Sequence, residues 1–244
     1  MGLCLRVSIR YLLTFCVLPV LAPAAMAATS NSPAEVSSIA QVLALHQDRV
    51  TMRLEPRFRF VGASWPPQEV ALLAFKDVRR LELWARSGGV WRHIRDYRIK
   101  GMSGRVGPKL REGDLQVPEG FYRIEKLNPN SAYHLSLKLD YPNSFDRERA
   151  VLDGRNNLGG DIYIHGRAVS QGCLAIGDNA IEELFVLTAL LGTDHVSVLI
   201  SPQDFRSSAM EPNAGDRPDW IQALYGEIRL ELARFPLEKK GSME

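Results

Sequence analysis

The chain has 244 residues, of which 45% are apolar and 24% are charged. This length and apolar content suit one domain with a full hydrophobic core and a small appendage. Its 30 basic and 28 acidic side chains nearly cancel, so there is no electrostatic reason to expect a nucleic acid or an anionic membrane as a partner.

The first 27 residues have the layout of a secretory signal peptide. Arg6 and Arg10 precede an apolar run over residues 11–22, and residues 25–27 (Ala-Met-Ala) form a small-x-small cleavage site. The run contains a proline and is shorter than the ~20 residues that a membrane-spanning helix needs. We therefore predict export and cleavage after Ala27, and favour this over a membrane anchor. No later apolar segment is long enough to span a membrane.

Removal of this leader changes both the charge balance and the cysteine count. The leader holds two basic and no acidic residues, so the remaining chain has 28 basic and 28 acidic residues. Cys4 and Cys16 are lost with the leader, and Cys173 is the one cysteine that remains. A lone thiol in an oxidising compartment is at risk of oxidation, so we expect Cys173 to have a structural or chemical role. From the cysteine count alone, two explanations stay open: Cys173 is a small buried hydrophobe, or its sulfur is a nucleophile.

Residues 28–69 are predicted to form an N-terminal helical segment. Ser32 is typical of a helix cap, and Glu35 is placed to reach back to it. Apolar residues then recur at helical spacing as far as about Gln47, at Val36, Ile39, Ala40 and Leu43. We expect this helix to pack at the edge of the domain.

Strands dominate the next segment, residues 70–202. Runs that alternate or are wholly apolar predict strands at 70–75, 80–86, 90–99, 121–124, 133–142, 161–165 and 195–200. The stretch from 103 to about 119 is rich in glycine and proline, and it is predicted as a long loop. A long loop inside a compact domain is usually either functional or disordered.

Two helices accompany the later strands. Asp178 is typical of a helix cap, and the residues that follow it form an apolar inner stripe at Ile181, Leu184, Phe185 and Thr188. A last helix over about 216–234 lies in a C-terminal tail, residues 203–244. Strands mostly follow one another here, so the predicted fold class is mainly β with flanking helices (α+β), a sandwich or open barrel.

The stretch IHGRAVSQGC, residues 164–173, contains a candidate catalytic pair. His165 ends a predicted strand, and Cys173 ends the loop that returns from it. A free thiol has a pKa of ~8.5, and a histidine within hydrogen-bond reach raises its reactive fraction. Gly172 frees nearby amides to face a developing oxyanion, and Ser170 is placed to orient the imidazole. The bare His-Cys spacing has little specificity, so a structural histidine and thiol remain an alternative.

The other candidate metal ligands are scattered along the chain. His93, His134 and His195 are predicted as surface residues of strands or strand ends. One cysteine with scattered histidines offers no paired ligand spacing for zinc, so no metal site is predicted. The sequence carries no indication of the oligomeric state.

Three sequence segments, in the expected order, resemble one protein family and are more specific than the His-Cys spacing alone. His165-Gly166, followed by Ser-Gln-Gly-Cys at 170–173, resembles the active-site signature of the L,D-transpeptidases, the YkuD-type catalytic domain of bacterial cell walls. Residues 107–122 look like the loop-and-strand segment of the same family, and residues 127–147 are similar to the YafK-like murein enzymes. Together the resemblance covers about residues 70–200.

The resemblance implies a mainly β catalytic domain in the periplasm that acts on peptidoglycan stem peptides. It implies that Cys173 attacks the carbonyl between the third-position diamino acid and the terminal D-alanine, with His165 as base and then acid. Amides near Gly172 and Cys173 would hold the oxyanion, and Ser170 would support the histidine. Tyr163, Arg167 and Gln171 would line the substrate pocket. The acyl group then passes to an amine, and no metal or organic cofactor is needed.

Two residues depart from the family pattern. Gln171 stands where most members have histidine, and Ala175 stands where they usually carry Arg or Asn. The stretch between His165 and Cys173 is also shorter than in most members. These changes leave the acyl acceptor open, because YafK-like enzymes include a hydrolase that releases lipoprotein from murein. A catalytically silent murein-binding module is a further alternative, whereas a thiol redox protein would want a second cysteine.

Overall fold

The computed structural model describes residues 37–207 and 218–237, and the predicted leader lies outside these ranges. The α-helices are α1 (Ile39–Phe60), α2 (Ser144–Leu152), α3 (Asp178–Leu191) and α4 (Trp220–Leu232). The strands are β1 (Val70–Phe75), β2 (Arg80–Ser87), β3 (Val90–Arg98), β4 (Gly120–Ser131), β5 (His134–Leu139), β6 (Tyr163–His165), β7 (Leu174–Ala175) and β8 (Val196–Ser201). None of the described helices has the length and apolar character to cross a bilayer.

The strands form one eight-stranded sheet in the order β3-β2-β1-β8-β4-β5-β6-β7. Strand β4 pairs with β8 over its first residues and with β5 over the rest, and two register shifts interrupt its pairing with β5. Such irregularities bend a strand and increase its twist. Strands β1 and β8 are parallel, as are β6 and β7. The predicted α+β fold class is confirmed.

Both faces of the central strands are covered by helices. In β1, Val70 and Leu72 belong to the larger core cluster, which also contains residues of α1 and α3, whereas Leu73 and Phe75 belong to a second cluster with α4. Because every residue of β1 is buried, its sequence is continuously apolar rather than alternating. Each buried Leu or Phe contributes on the order of 1.5–3 kcal/mol to folding.

Helix α1 departs from its prediction at both ends. Ser38 caps it, in a capping box with Gln41, whereas the predicted cap Ser32 lies outside the described residues. The helix continues to Phe60, well beyond Gln47, and it buries Val42, His46, Val50, Leu54 and Phe58. Of the predicted apolar stripe, Leu43 packs against the core, Ile39 and Ala40 are exposed, and Val36 lies outside the described residues. The buried face differs because it includes a histidine and runs through a more polar stretch.

Two further helices differ from the sequence prediction, as does strand β4, which was predicted over 121–124 and extends to Ser131. Helix α2 was not predicted, because Ala150 is its only buried residue and it has no apolar stripe, although Asn143 and Asp146 form a capping box at its start. Asp178 was predicted to cap α3, but Gly177 is the cap residue and no side chain caps this helix. The Asp178 carboxylate instead accepts a hydrogen bond from the amide of Arg167, at 2.7 Å.

Candidate active site

The edge of the sheet places the predicted pair on neighbouring strands. Strand β6 pairs antiparallel with β5, with His165 opposite Ser136. Strand β7 then runs parallel to β6, with Ile164 opposite Leu174. Cys173 immediately precedes β7, so the loop between the two strands brings its side chain beside the start of β6.

His165 is a buried residue with a defined proton position. Its Nδ1 lies 2.7 Å from the carbonyl oxygen of Gly166. Because a carbonyl oxygen only accepts, Nδ1 carries the proton and Nε2 has the free lone pair. Burial lowers the pKa of His165, and the Gly166 carbonyl opposes this in part. The imidazole is therefore neutral at pH 7 and can act as a base.

A glycine at position 166 is required by the close approach of the chain. A Cβ there would lie 2.6 Å from the carbonyl oxygen of Tyr133 and 2.7 Å from a carboxylate oxygen of Asp178. Both distances are shorter than real Cβ contacts, so a larger residue would push His165 out of place. The Tyr133 ring stacks on the imidazole, with centroids 4.6 Å apart.

The Cys173 thiol is half-buried and turned toward the start of β6. Its Sγ lies 3.4 Å from the amide nitrogen of Tyr163 and 3.6 Å from the carbonyl oxygen of Asp161. Burial raises the pKa of the Cys173 thiol, and the hydrogen bond from the Tyr163 amide opposes this shift. The thiol is thus protonated at neutral pH, and a base is needed to activate it.

Ser170 connects the histidine to the cysteine. Its Oγ lies 3.4 Å from Nε2 of His165 and accepts a hydrogen bond from the Cys173 amide at 3.1 Å. Sequence spacing led us to expect direct contact between the thiol and the imidazole. Within the described ranges no hydrogen bond joins the imidazole to the thiol, and Ser170 Oγ contacts the imidazole and the backbone amide of Cys173 instead.

Ser103 occupies the second amide next to the thiol. The Gly172 amide donates to Ser103 Oγ at 2.6 Å, and this hydroxyl donates in turn to the Leu115 carbonyl at 2.7 Å. Gly172 has a φ of 80°, a backbone conformation that side-chain-bearing residues rarely adopt. Both amides that would face an oxyanion therefore hold a serine hydroxyl in this structure.

The long loop between β3 and β4 is ordered beside the site. Its start is tied to β7, since the amides of Lys100 and Gly101 both donate to the Ala175 carbonyl, at 2.7 and 3.2 Å. Further along, the Asp114 carboxylate accepts from the amides of Leu110, Arg111 and Gln116 and from the Lys109 ammonium. The positive charge of Lys109 slightly lowers the pKa of Cys173.

The three predicted pocket residues lie at different depths. Tyr163 contacts the site through its backbone amide, while its hydroxyl donates to the Asp161 carboxylate at 3.3 Å. Arg167 and Gln171 are exposed, and Arg167 adopts a positive φ of 56°. Their contact with a substrate stays a prediction.

A cavity of mixed charge lies beside Asp161. It has a volume of about 480 Å³, and its lining includes Glu112, Glu125, Lys138, Asp140, Arg147 and Asp161. Lys138 forms ion pairs with Glu125 at 3.2 Å and with Asp161 at 3.5 Å. Asp161 is the lining residue that also contacts Sγ, through its carbonyl, and the cavity offers both signs of charge to a ligand.

Sequence reasoning missed three residues of the site: Ser103, which contacts the Gly172 amide, and Tyr133 and Asp161, which contact the pair. Ser103 lies in the loop that was predicted to be functional or disordered, so its segment carried a signal although the residue itself did not. Tyr133 and Asp161 had no signal, because each reaches the site through strand pairing and bends of the chain. Asp161 has a positive φ of 56°, which a pattern of side chains does not reveal.

Comparison with known proteins places this site within a described family. The family model for the L,D-transpeptidase catalytic domain, YkuD, matches residues 73–200. Two curated relatives, from Escherichia coli K12 and Escherichia coli O157:H7, carry the name "Putative L,D-transpeptidase YafK". Each is 35% identical over 140 residues, which cover 56% of this chain and 54% of the relative. The chain thus spans about half the length of the curated relatives it matches.

The solved structures that match this chain have lower sequence identity to it. The helical cell shape determining protein Pgp2 from Campylobacter jejuni is 19% identical, with a TM-score of 0.46, and the match covers 75% of this chain and 78% of that one. Bd1075 from Bdellovibrio bacteriovorus is 18% identical, with a TM-score of 0.42, and the match covers 70% of this chain and 57% of that one.

The family assignment rests on the matched segment. Residues 73–200 make up more than half of the chain and include His165, Ser170 and Cys173. The sequence resemblance to YkuD-type and YafK-like enzymes is confirmed. The chain belongs to the YkuD family of L,D-transpeptidase catalytic domains.

Proposed function

We propose that this chain is an exported L,D-transpeptidase that uses Cys173 as its nucleophile on peptidoglycan stem peptides. The observation that carries the proposal is the position of Ser170 Oγ, 3.4 Å from His165 Nε2 and 3.1 Å from the Cys173 amide. One hydroxyl joins the base and the nucleophile's amide in a domain of the L,D-transpeptidase family. The leader over residues 1–27 supports export, and hence a periplasmic location.

In the first half-reaction, Sγ of Cys173 attacks the carbonyl carbon between the third-position diamino acid and the terminal D-alanine. The thiol proton passes to His165 Nε2, with the Ser170 hydroxyl as the relay between them. His165 then gives that proton to the leaving nitrogen as the C–N bond breaks. D-Alanine departs, and the stem stays on Cys173 as a thioester.

The neutral state of the pair supports a base-assisted attack. Burial shifts the pKa of His165 down and that of Cys173 up. Both shifts disfavour a resting thiolate–imidazolium pair, so the proton leaves the sulfur as the carbon–sulfur bond forms. The negative charge then develops on the substrate carbonyl oxygen, which needs donors nearby.

The amides of Gly172 and Cys173 are the proposed donors to this oxyanion. Each now donates to a serine hydroxyl, Ser103 for Gly172 and Ser170 for Cys173. On substrate binding, the carbonyl oxygen of the stem peptide takes the place of both hydroxyls at these amides, while the Ser170 hydroxyl stays beside His165 Nε2 as the relay. Preorganised amides in a partly buried site are worth more than the same amides in water, which favours the tetrahedral intermediate.

An amine is the proposed acceptor in the second half-reaction. It attacks the thioester carbonyl, His165 accepts its proton, and the Cys173 thiol is restored as the new amide forms. The mixed-charge cavity beside Asp161 suits the amino and carboxylate groups of a second stem. Water as the acceptor, with release of lipoprotein or trimmed stems, is the alternative that the YafK-like resemblance suggests.

The deciding experiment compares the purified chain with its Cys173→Ala variant. Each is incubated with stem tetrapeptides plus a free D-amino acid, and separately with sacculi that carry attached lipoprotein. Mass spectrometry should show cysteine-dependent exchange of the terminal residue or a new cross-link. Hydrolysed stems or freed lipoprotein without exchange would make the protein a murein hydrolase. Retention on sacculi without any product would leave a binding module.

A further inference from the structure

A second group of ionisable side chains lies where α1, β5 and α3 meet. The imidazoles of His46 and His134 and the carboxylate of Glu182 each place a ligand atom within 4.8 Å of the others. His46 Nδ1 lies 3.6 Å and His134 Nε2 lies 3.0 Å from the nearer Glu182 oxygen. His46 and Glu182 are buried. His134 was predicted as a solvated strand residue, but it is only partly exposed and binds Glu182.

A cationic nitrogen already stands between two of these ligand atoms. Nη2 of Arg49 donates to His46 Nδ1 at 2.7 Å and to Glu182 Oε2 at 2.8 Å. A guanidinium has no acceptor, so His46 Nδ1 must carry a lone pair and its imidazole is neutral. Burial lowers the pKa of His46, which agrees with this assignment. Two lone pairs therefore converge on one point that a cation occupies.

We propose that His46, His134 and Glu182 form a binding site for a divalent cation of the zinc type. Two imidazole nitrogens and one carboxylate are a ligand set that zinc accepts, with one position left for water. The ion takes the place of the Arg49 nitrogen, and the Arg49 side chain, 52% exposed, turns out into water. The site goes beyond the proposed acyl transfer and does not depend on it.

Binding of the ion requires the other tautomer of the His134 ring. His134 Nε2 now faces a carboxylate oxygen, which only accepts, so Nε2 carries a proton, and this proton must move to Nδ1 before Nε2 can ligate a metal. The other charged groups here are Arg53, 3.4 Å from Glu182, and Glu183, which Arg53 Nε contacts at 3.1 Å. Arg53 weakens the attraction of the site for a cation and Glu183 strengthens it.

The proposed metal site and the candidate active site are connected through adjacent residues of the chain. Tyr133, which stacks on His165 at 4.6 Å, directly precedes His134 in the chain. A bound ion would therefore fix the segment that carries Tyr133. No sequence pattern indicates this cluster, because positions 46, 134 and 182 lie far apart and meet only through packing of α1 and α3 against β5.

The test is a titration of the purified chain with Co²⁺, read by visible absorption, with Zn²⁺ as the competitor. All proteins carry Cys173→Ala, so that the thiol cannot act as a ligand. We expect one equivalent of Co²⁺ to bind and to show the visible absorption of a site of low coordination number. His134→Gln and Glu182→Gln should each weaken binding by tenfold or more, on the order of 1.4 kcal/mol.

Arg49→Gln separates a metal site from an ion-pair cluster. Removal of the competing guanidinium should tighten binding by about tenfold, because no charge-assisted hydrogen bond is then displaced. A gain of affinity cannot result from misfolding. His195→Gln, at an exposed position, is the matched control and should bind as the parent does. Absence of Co²⁺ absorption at millimolar metal, or equal affinity in parent, Arg49→Gln and His134→Gln, would overturn the proposal and leave an ion-pair cluster that holds α1.

Discussion

The hydroxyl oxygen of Ser103 lies 2.6 Å from the backbone nitrogen of Gly172. These residues are far apart in the chain, and the contact places the loop between β3 and β4 on the amide next to the candidate nucleophile. In the proposed mechanism this amide binds the carbonyl oxygen of the substrate, so the Ser103 hydroxyl would have to be displaced before acylation.

Ser103→Ala should increase the rate of acylation. The substituted protein no longer has to break this hydrogen bond, which is worth about 1 kcal/mol, or about fivefold in rate. The measurement is kcat/KM for exchange of the terminal residue of a stem tetrapeptide, with Ser103→Thr as the variant that keeps the hydroxyl. A rate well below that of the parent would mean that Ser103 supports the substrate instead of blocking it.

Ser170→Ala should slow acylation by tenfold or more. The change removes the hydroxyl that joins His165 Nε2 to the Cys173 amide, and general acid–base assistance contributes on the order of 10²–10⁴-fold. The rate should fall mainly through kcat, and the melting temperature should move little because Ser170 lies at the surface of the site. Loss of binding with unchanged kcat would argue against the relay role.

The pH dependence of thiol alkylation should report the raised pKa of Cys173. Burial favours the neutral thiol, so iodoacetamide should react slowly at pH 7 and faster as the pH rises through the raised pKa. His165→Ala should slow the reaction near neutral pH, because the neutral imidazole is the nearby base. His195→Gln serves as the control for loss of a histidine. Equal rates in the parent and His165→Ala would count against His165 as the activator.

Gly172→Ala should lower both stability and activity. The φ of 80° at this position costs a side-chain-bearing residue about 1–2 kcal/mol, although the space for a methyl group is sufficient, with the nearest atom 3.7 Å away. Relaxation of the strain would rotate the amide away from the proposed oxyanion position. Urea unfolding measures the first effect and exchange kinetics the second. A variant with full activity would show that this amide is not a donor.

Asp146 should make stability depend on pH. Burial raises the pKa of Asp146 from 3.8 to about 6, so the folded protein holds this proton more tightly than the unfolded chain. The stabilisation is complete below pH 3.8 and is lost as the pH rises through about 6. Relative to Asp146→Asn, the free energy of unfolding should fall by about 2–3 kcal/mol from pH 4 to pH 7. Parallel curves for the two proteins would contradict the shift.

Local pattern was sufficient for much of the fold. The apolar and alternating runs predicted β1, β2, β3, β5 and β8 close to their observed bounds, because the pattern of apolar residues within a strand reflects which of its side chains are buried. The stripe of α3 was also confirmed, with Ile181, Leu184, Phe185 and Thr188 all buried. Helix α2 and the full length of α1 were not predicted, because helix propensity and the spacing of apolar residues are weak indicators in those segments.

The sequence by itself determined the family and the candidate residues His165, Ser170, Gly172 and Cys173, and it predicts a leader whose removal would leave Cys173 as the lone cysteine. These residues lie within one short segment, so their spacing in the sequence is enough to identify them as a motif. Only the tertiary structure decided that Ser103 caps an amide of the site, that Tyr133 stacks on His165, and that His46, His134 and Glu182 meet. Such contacts depend on which strands pair and in what register, and this is set by the packing of the whole sheet rather than by any local stretch of sequence.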